Sequence, residues 1–258
     1  MLRAVTNTTL HAVERGEGPS LVLAHGFTQN AQCWGHLADD LAQDHRLVLV
    51  DLPGHGASDP SFDTSNLQEA ADVLVEAGGN GVYVGYSMGG RVALHAALSH
   101  PESIRGLVLI GATAGIDDEH ARQARREADD DLAARLEAMG LAAFLDRWLS
   151  NPLFAGLTPE TACKTQRLTN RVEGLAASLR NTGTGNQEPL WSRLGEIDLP
   201  VLLIAGSEDA KFTDIGLRMA EYLPRASLMS LPGTHAVHLE TPTPVASVIR
   251  RAVAEFTR

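Results

Sequence analysis

The segment Gly85-Tyr86-Ser87-Met88-Gly89-Gly90 decides the fold, because it contains the pattern Gly-x-Ser-x-Gly between two kinds of secondary structure. The apolar residues 81–84 before it predict a buried strand, and residues 91–98 after it have helical character. A strand, a sharp turn and a helix in this order hold a serine hydroxyl at the carboxyl end of the strand, above a helix N-terminus that favours negative charge. We therefore predict that Ser87 is a catalytic residue, and the alternative is an ordinary tight turn.

The composition is that of an ordinary globular protein and excludes several functions. The chain has 258 residues, of which 44% are hydrophobic and 21% charged, and its formal net charge is −11. So acidic a protein is unsuited to nucleic acid or to an anionic membrane, and we expect neither partner. Cys33 and Cys163 are too few for a disulfide scaffold and lack metal-ligand spacing. Residues 1–18 lack the apolar core of a secretion signal, and no apolar run is long enough to span a bilayer, so we expect a cytoplasmic protein.

Strand-like and helix-like runs alternate along much of the chain, which predicts an α/β fold with a mostly parallel sheet. The predicted strands are residues 8–14 (an edge strand), 20–24, 46–50, 81–84, 104–110, 201–205 and 226–231. The predicted helices between them are residues 33–43, 67–77, 91–98, 213–223 and 245–256. Between about residues 114 and 194 no strand-like run occurs, and helices are predicted at 119–139, 141–149 and 159–171. We predict one domain over residues 1–258, with a helical cap inserted at about residues 114–194.

Two polar residues that follow later core strands complete a catalytic set with Ser87. Asp209 comes shortly after the strand at 201–205, and His235 comes shortly after the strand at 226–231. In such a set the imidazole takes the serine proton, and the carboxylate fixes the tautomer and stabilises the imidazolium. Glu208 is a rival for the acid, because adjacent loop residues point in different directions. We predict Ser87, Asp209 and His235 as the catalytic residues.

The loop at 25–27 supplies the other part of the predicted site. The backbone amides of Phe27 and Met88 are expected to form an oxyanion hole. His25 either lines the pocket and contacts the substrate or bonds only the backbone, and the sequence leaves both readings open. His55 and His238 are predicted to be structural.

Three motifs resemble the α/β-hydrolase superfamily over the first half of the chain: His25-Gly26-Phe27, Asp51-Leu52-Pro53-Gly54-His55-Gly56 and the segment at 85–91. The second half is similar to one branch, the 2-succinyl-6-hydroxy-2,4-cyclohexadiene-1-carboxylate synthases of menaquinone biosynthesis. That similarity lies in residues 122–129, Trp148 with Asn151-Pro152-Leu153-Phe154, Arg167, residues 174–180, Gly183-Thr184-Gly185-Asn186-Gln187, Leu190-Trp191 and Asp209-Ala210-Lys211-Phe212. The resemblance implies an α/β-hydrolase fold and a lyase that eliminates pyruvate from 2-succinyl-5-enolpyruvyl-6-hydroxy-3-cyclohexene-1-carboxylate. It implies no metal and no organic cofactor.

The resemblance also implies residues that bind this substrate, which carries three carboxylates. It places basic ligands at Arg91, Arg125, Arg167 and Lys211, and pocket aromatics at Tyr86 and Trp148. Guanidinium and ammonium groups are the natural partners of carboxylates. Three positions keep an alternative. Arg125, four residues from Asp129, and Arg91 also fit a solvated face, and Trp148 fits the core of the cap.

Two other functions stay open on the sequence. A carboxylesterase or carbon–carbon bond hydrolase would use Ser87 as a covalent nucleophile. A non-catalytic small-molecule receptor would keep the fold without the chemistry, although the intact set of Ser87, Asp209 and His235 argues against it. The sequence does not determine the oligomeric state.

Overall fold

The computed structural model describes residues 10–58 and 66–256, and its centre is a seven-stranded sheet. The strands are β1 Ala12–Arg15, β2 Ser20–Ala24, β3 Arg46–Val50, β4 Gly81–Tyr86, β5 Ile104–Ile110, β6 Val201–Gly206 and β7 Ala226–Leu231. Their order in the sheet is β1-β3-β2-β4-β5-β6-β7. Strand β1 pairs antiparallel with β3 at one edge, and every other neighbouring pair is parallel. The predicted α/β class and mostly parallel sheet are confirmed.

Ten helices accompany the described strands. They are α1 Gly35–Leu41, α2 Leu67–Gly78, α3 Met88–Ser99, α4 Glu119–Met139, α5 Leu141–Leu149, α6 Lys164–Arg167, α7 Val172–Thr182, α8 Ala210–Tyr222, α9 Val237–Glu240 and α10 Pro242–Phe256. Among the described residues, no helix has both the length and the apolar character needed to cross a bilayer.

Helices cover both faces of the sheet, and this explains why the central strands are continuous apolar runs. Side chains alternate between faces along β2. Leu21 and Leu23 pack in one cluster with α1 and α10, and Val22 packs in the other with α2, α3 and α8. Both cores are therefore closed by helix packing, and the carboxyl ends of the parallel strands form the edge at which the candidate site lies.

The segment between β5 and β6 contains α4, α5, α6 and α7, and these helices have a small apolar core of their own. Leu136 of α4, Phe144 of α5 and Leu175 and Leu179 of α7 are buried together. Helix α4 begins where Asp118 accepts a hydrogen bond from the Ala121 amide at 2.7 Å. It ends at Gly140, whose φ of 78° turns the chain into α5. The division into one domain with a cap at about residues 114–194 stays our prediction.

Several predicted boundaries differ from the observed ones for identifiable reasons. Helix α8 begins at Ala210 rather than 213, because Asp209 caps it by accepting from the Phe212 amide at 3.2 Å. Helix α10 begins at Pro242 rather than 245, since proline is well suited to a first helical turn. The edge strand is Ala12–Arg15 rather than residues 8–14, of which 8 and 9 lie outside the described residues.

The largest difference lies in the cap. The predicted helix at 159–171 is only the four-residue α6, and α7 was not predicted at all. Helix α7 has the sequence VEGLAASLRNT, with no cap signal before it and a glycine in its first turn. Its stability comes instead from buried packing against α4 and the loop after β3, which the sequence pattern does not reveal.

Candidate active site

Ser87 lies in a sharp turn between β4 and α3. Its φ is 49°, and among the described non-glycine residues only Thr28 and Cys163 share a positive value. The turn is packed closely: a Cβ on Gly89 would lie 1.9 Å from the Ala24 carbonyl oxygen, and one on Gly85 would lie 2.5 Å from the Gly90 Cα. The glycines around the serine are therefore required by the close approach of β2 and α3, and the strained backbone directs the hydroxyl above the sheet edge.

Two hydrogen bonds connect Ser87 to a buried carboxylate. The Ser87 Oγ lies 3.2 Å from His235 Nε2, and His235 Nδ1 lies 2.8 Å from Asp209 Oδ2. His235 and Asp209 are 3% and 6% exposed. Because an ionised carboxylate only accepts, Nδ1 carries the proton and Nε2 is free to accept the serine proton.

The rival acid lies elsewhere. Glu208 is exposed, and its backbone amide donates to the Gly233 carbonyl at 2.9 Å. Of these two adjacent residues, it is the buried Asp209 that turns toward His235, since its second oxygen is also held by the Phe212 amide. The structure thus brings together the three residues predicted to be catalytic and leaves Glu208 outside.

The loop that carries His235 is anchored by Glu240, which no sequence pattern indicates. Glu240 in α9 accepts the Thr234 amide at 2.7 Å and also accepts the Thr234 hydroxyl. The Phe212 ring packs against the imidazole at 4.3 Å between centroids. These contacts hold the ring in the plane that joins Ser87 to Asp209.

Two backbone amides beside Ser87 have no acceptor within the described part of the chain: those of Phe27 and Met88. Their neighbours are occupied, since the Gly26 amide donates to Gln29 Oε1 at 3.1 Å and the Gly89 amide donates to the His25 carbonyl at 3.0 Å. Both Phe27 and Met88 line the cavity above Ser87. These are the two amides predicted to form an oxyanion hole, and they are available to a ligand oxygen.

His25 is not placed to contact a ligand. Its Nδ1 donates to the Gly26 carbonyl at 2.9 Å and its Nε2 accepts the Leu52 amide at 3.0 Å. The side chain is fully buried, and burial lowers its pKa to about 4. Of the two readings of His25 that the sequence leaves open, these contacts support the backbone role over substrate binding: both ring nitrogens are used by the backbone, and the residue fixes the loop that presents Phe27.

His55 and His238, the two histidines predicted to be structural, are also buried. His55 Nδ1 donates to the Pro53 carbonyl at 2.9 Å, as expected of a structural residue. His238 packs its ring on Tyr86, with 4.0 Å between centroids, and its Nε2 lies 3.5 Å from Gln29 Nε2. Both act on the site through packing.

A cavity of about 300 Å3 lies between Ser87 and the cap. Five basic side chains reach its wall, against one carboxylate, that of Asp129; they belong to Arg91, Arg125, Arg135, Arg167 and Lys211. In a chain with a formal net charge of −11, this is a marked local concentration of positive charge. Among the described residues, no group of three or more histidine, cysteine or acidic side chains is arranged to hold a metal ion.

Two of the cavity arginines are buried without a carboxylate partner in the described structure. Arg91 is 7% exposed and donates only to the Thr182 carbonyl, at 2.9 Å. Burial, followed by the nearby charge of Arg125, lowers its pKa to about 10, so it stays charged at neutral pH. Arg167 is 1% exposed and donates to the Ala162 carbonyl at 2.8 Å and to the Thr28 hydroxyl. Asp129 partly offsets the burial of Arg91, but neither arginine is paired directly with a carboxylate in the described structure. Burial of such a guanidinium is costly, and an anionic ligand would reduce that cost.

The other two predicted cations are nearer to solvent. Arg125 Nε donates to Asp129 Oδ1 at 2.8 Å, so the predicted i,i+4 ion pair exists, but on the cavity wall rather than on a solvated face. Lys211 is exposed, with its Nζ 5.5 Å from the Phe212 ring centroid. The sequence did not indicate Arg135, which lies on the exposed side of α4 and reaches the wall only because of the cap's orientation.

Aromatic rings form the apolar part of the cavity. Tyr86 and Trp148 were predicted, and both line it together with Phe27, Phe154 and Phe212. Trp148 lies edge to face with Phe27, 5.3 Å between centroids, and stacks with Phe144 at 6.1 Å. It therefore belongs both to the packing of the cap and to the cavity wall. Phe154 and Phe212 occur in the motifs quoted above, but nothing in the sequence assigned them to the wall.

Comparisons with known proteins agree with one another. A model of the alpha/beta hydrolase family matches residues 21–248. Two proteins named 2-succinyl-6-hydroxy-2,4-cyclohexadiene-1-carboxylate synthase are similar over almost the whole chain. The one from Enterobacter sp. (strain 638) is 33% identical, covering 90% of each chain. The one from Klebsiella pneumoniae (strain 342) is 32% identical, covering 94% of this chain and 98% of its own. The solved structure of MenH from S. aureus superposes with a TM-score of 0.89 at 30% identity, covering 97% of this chain and 100% of that one.

Proposed function

Because the chain belongs to the alpha/beta hydrolase family and, within it, to the 2-succinyl-6-hydroxy-2,4-cyclohexadiene-1-carboxylate synthases, we propose the following reaction and catalytic residues. It is a carbon–oxygen lyase of menaquinone biosynthesis. It eliminates pyruvate from 2-succinyl-5-enolpyruvyl-6-hydroxy-3-cyclohexene-1-carboxylate and gives the 2,4-cyclohexadiene that names the family. A cytoplasmic location and a reaction without cofactor are parts of the same proposal.

One observation carries the assignment of the site. The hydrogen-bonded set of Ser87, His235 and Asp209 opens into a cavity with five basic side chains and one carboxylate. A hydrolase for neutral esters has no need of such a lining, whereas a substrate with three carboxylates does. The two buried arginines without a carboxylate partner among the described residues, Arg91 and Arg167, are the strongest candidates to bind it.

The reaction starts with removal of a ring proton that the succinyl ketone acidifies. His235 accepts the Ser87 proton, with its tautomer fixed by Asp209, so that Ser87 Oγ is the base or relays the proton to the imidazole. The electrons then move through the ring double bond, the carbon–oxygen bond to the enolpyruvyl group breaks, and the enolate of pyruvate leaves and takes up a proton at carbon to become pyruvate. The serine needs no carbonyl to attack, and no covalent enzyme intermediate forms.

In this reaction the oxyanion hole stabilises an enolate oxygen instead of the tetrahedral intermediate of ester hydrolysis. As the ring proton leaves, the ketone oxygen of the succinyl group gains negative charge. The unoccupied amides of Phe27 and Met88 would donate to that oxygen, aided by the N-terminus of α3. This stabilisation acts only as charge develops, and it therefore lowers the barrier rather than merely improving binding.

The carboxylates fix the position of the ring relative to Ser87. Arg91 and Arg167 would hold carboxylates in the buried part of the cavity, and Arg125 and Lys211 nearer to its solvent side. Tyr86 and Trp148 would contact the apolar faces of the ring and the succinyl chain. Correct orientation accounts for much of the rate in a reaction whose chemistry is a single proton removal.

The test is to supply the enolpyruvyl substrate and follow pyruvate. We expect pyruvate release by the wild-type chain, strong loss in Ser87→Ala, and little hydrolysis of a neutral ester such as 4-nitrophenyl acetate. Fast ester hydrolysis without pyruvate release would support the carboxylesterase reading instead, and neither activity would support a receptor.

A further inference from the structure

The two cysteines lie together in the fold, although 130 positions separate them in the sequence. Cys33 belongs to a 3-10 helix, Ala31–Trp34, that follows β2. Cys163 directly precedes α6 in the cap segment. The Cys163 Sγ lies 3.6 Å from the Cys33 carbonyl oxygen, a contact that places the two cysteines side by side. The pair therefore sits where the segment before α6 meets the sheet-bearing part of the protein.

The two thiols have different environments. Cys33 is 1% exposed, and its Sγ lies 3.5 Å from Asn30 Oδ1. Cys163 is only partly buried. The hydrogen bond between the thiols lowers the pKa of Cys163, and the charge of Arg167 lowers it further, whereas the same hydrogen bond and burial raise the pKa of Cys33. An accessible thiol with more thiolate beside a buried one is the arrangement of an attacking and a resolving cysteine.

The segment around Cys163 also holds part of the site. Arg167, four residues later, donates to the Thr28 hydroxyl, and its Nη1 lies 3.5 Å from the Phe27 carbonyl oxygen. Asn30, beside Cys33, donates to the Gln166 carbonyl at 2.8 Å. Residues next to both cysteines in the sequence thus join α6 to the loop at 27–30.

We propose that Cys33 and Cys163 form a reversible disulfide that fastens the cap segment to the sheet-bearing part of the protein. The oxidant is a low-molecular-weight disulfide. The Cys163 thiolate attacks one of its sulfurs, that disulfide bond breaks, and one thiolate leaves. The Cys33 sulfur then attacks the Cys163 sulfur and displaces the second thiolate, which takes up the Cys33 proton. The protein loses two electrons and two protons, and the oxidant becomes two thiols.

The disulfide would restrict movement of α6 relative to the loop that carries Phe27. If the reaction is the one proposed above, the cross-link lies beside Arg167 and the loop that carries Phe27, so oxidation changes kcat/KM several-fold and a dithiol reductant restores it. A cross-link that closes so long a loop also constrains the unfolded chain, so Tm rises by roughly 5 °C.

The test treats the native protein with oxidised glutathione and measures its intact mass. We expect a loss of two hydrogen atoms in the wild type, reversed by dithiothreitol, and a persistent single glutathione adduct in Cys33→Ser. Cys163→Ser should stay unmodified, because Cys33 is buried. Equal Tm values of the reduced variants and wild type show that all three are folded.

Two results would overturn the proposal: a wild type that stays reduced, or one that accumulates a stable glutathione adduct. Both readouts, mass and Tm, are independent of catalysis. If the disulfide formed in a protein that cannot release pyruvate, the result would contradict the proposed function but would still support the proposed disulfide.

Discussion

In the proposed reaction, Ser87, His235 and Asp209 act as one unit, because each of the two hydrogen bonds between them is useful only if the other is present. The 2.8 Å contact of Asp209 with Nδ1 sets the tautomer, and this tautomer makes Nε2 an acceptor for the serine 3.2 Å away. Without the imidazole, the buried carboxylate does not affect the serine. Without the carboxylate, the imidazole is not held in the orientation and tautomer that accept the serine proton.

We expect Ser87→Ala, His235→Ala and Asp209→Ala each to reduce kcat for pyruvate release by about 10²-fold or more. The double variant Ser87→Ala with His235→Ala should be little worse than either alone, since removal of one member already disables the unit. Steady-state kinetics of the four proteins measure this. Fully additive losses would show that the residues act independently.

The buried cations give a second prediction at this scale. Arg91→Ala should lower kcat/KM by about tenfold or more, because a buried charge-assisted hydrogen bond contributes roughly 1.5–3 kcal/mol. Part of the loss should be reproduced in the wild type by added salt. The matched control is Arg251→Ala, which removes an exposed arginine on α10. It should change neither kcat/KM nor the dependence of kcat/KM on salt. Equal behaviour of the two variants would remove Arg91 from substrate binding.

The sequence predicted which residues carry reactive side chains better than it predicted which groups those side chains contact. Gly-x-Ser-x-Gly, Asp209 and His235 were identifiable because each follows a strand whose end faces the same sheet edge. The role of His25 could not be decided from the sequence, because it depends on the Leu52 amide, which only the fold brings to its Nε2. Arg135 and Glu240 were missed because nothing in their local pattern indicates a cavity or a loop anchor.

At the scale of elements, strands were easier to predict than the cap. The apolar runs predicted at 46–50 and 201–205 match β3 and β6, since strands buried in a sheet need continuous apolar sequence. The run at 226–231 also coincides with β7, although this edge strand is only partly buried. Helix α7 carries no such signal. It is positioned by a close backbone approach, in which a Cβ on Gly174 would lie 2.3 Å from the Gly54 carbonyl oxygen.

This contact predicts that Gly174→Ala destabilises the protein by about 1–3 kcal/mol, because the added methyl group forces α7 away from the loop at 51–58. Gly195→Ala is the matched control, since a Cβ there would meet only the Tyr222 carbonyl at 3.9 Å. Urea unfolding of both variants measures the free energy. If Gly174→Ala were as stable as Gly195→Ala, the close approach would not position the cap.

At the scale of the whole molecule, acid sensitivity follows from buried neutral histidines. Burial lowers the pKa of His25 and His95 to about 4 and that of His55 to about 3. In the unfolded chain these groups titrate near 6.5, so between about pH 6.5 and 4 the unfolded state binds more protons than the folded state. Stability is therefore fully present above about pH 6.5 and falls as the pH is lowered.

We expect the free energy of unfolding to fall by up to about 1.4 kcal/mol per pH unit for each such histidine. Denaturant unfolding between pH 7 and 5 measures the slope. His95→Gln should reduce this slope by the contribution of one histidine. His36 has a side chain that is 89% exposed, so His36→Gln should leave the slope unchanged. A slope unaffected by His95→Gln would show that this residue is protonated in the folded state.

In the proposed mechanism, Ser87 removes a proton and, unlike the serine of a hydrolase, is not acylated. The most direct measurement is rapid quenching during turnover of the enolpyruvyl substrate, followed by intact-mass analysis of the protein. We predict that pyruvate accumulates while the protein mass stays that of the unmodified chain at every time. A substrate-derived adduct on Ser87 that forms and decays at the turnover rate would contradict the account and make the serine a nucleophile.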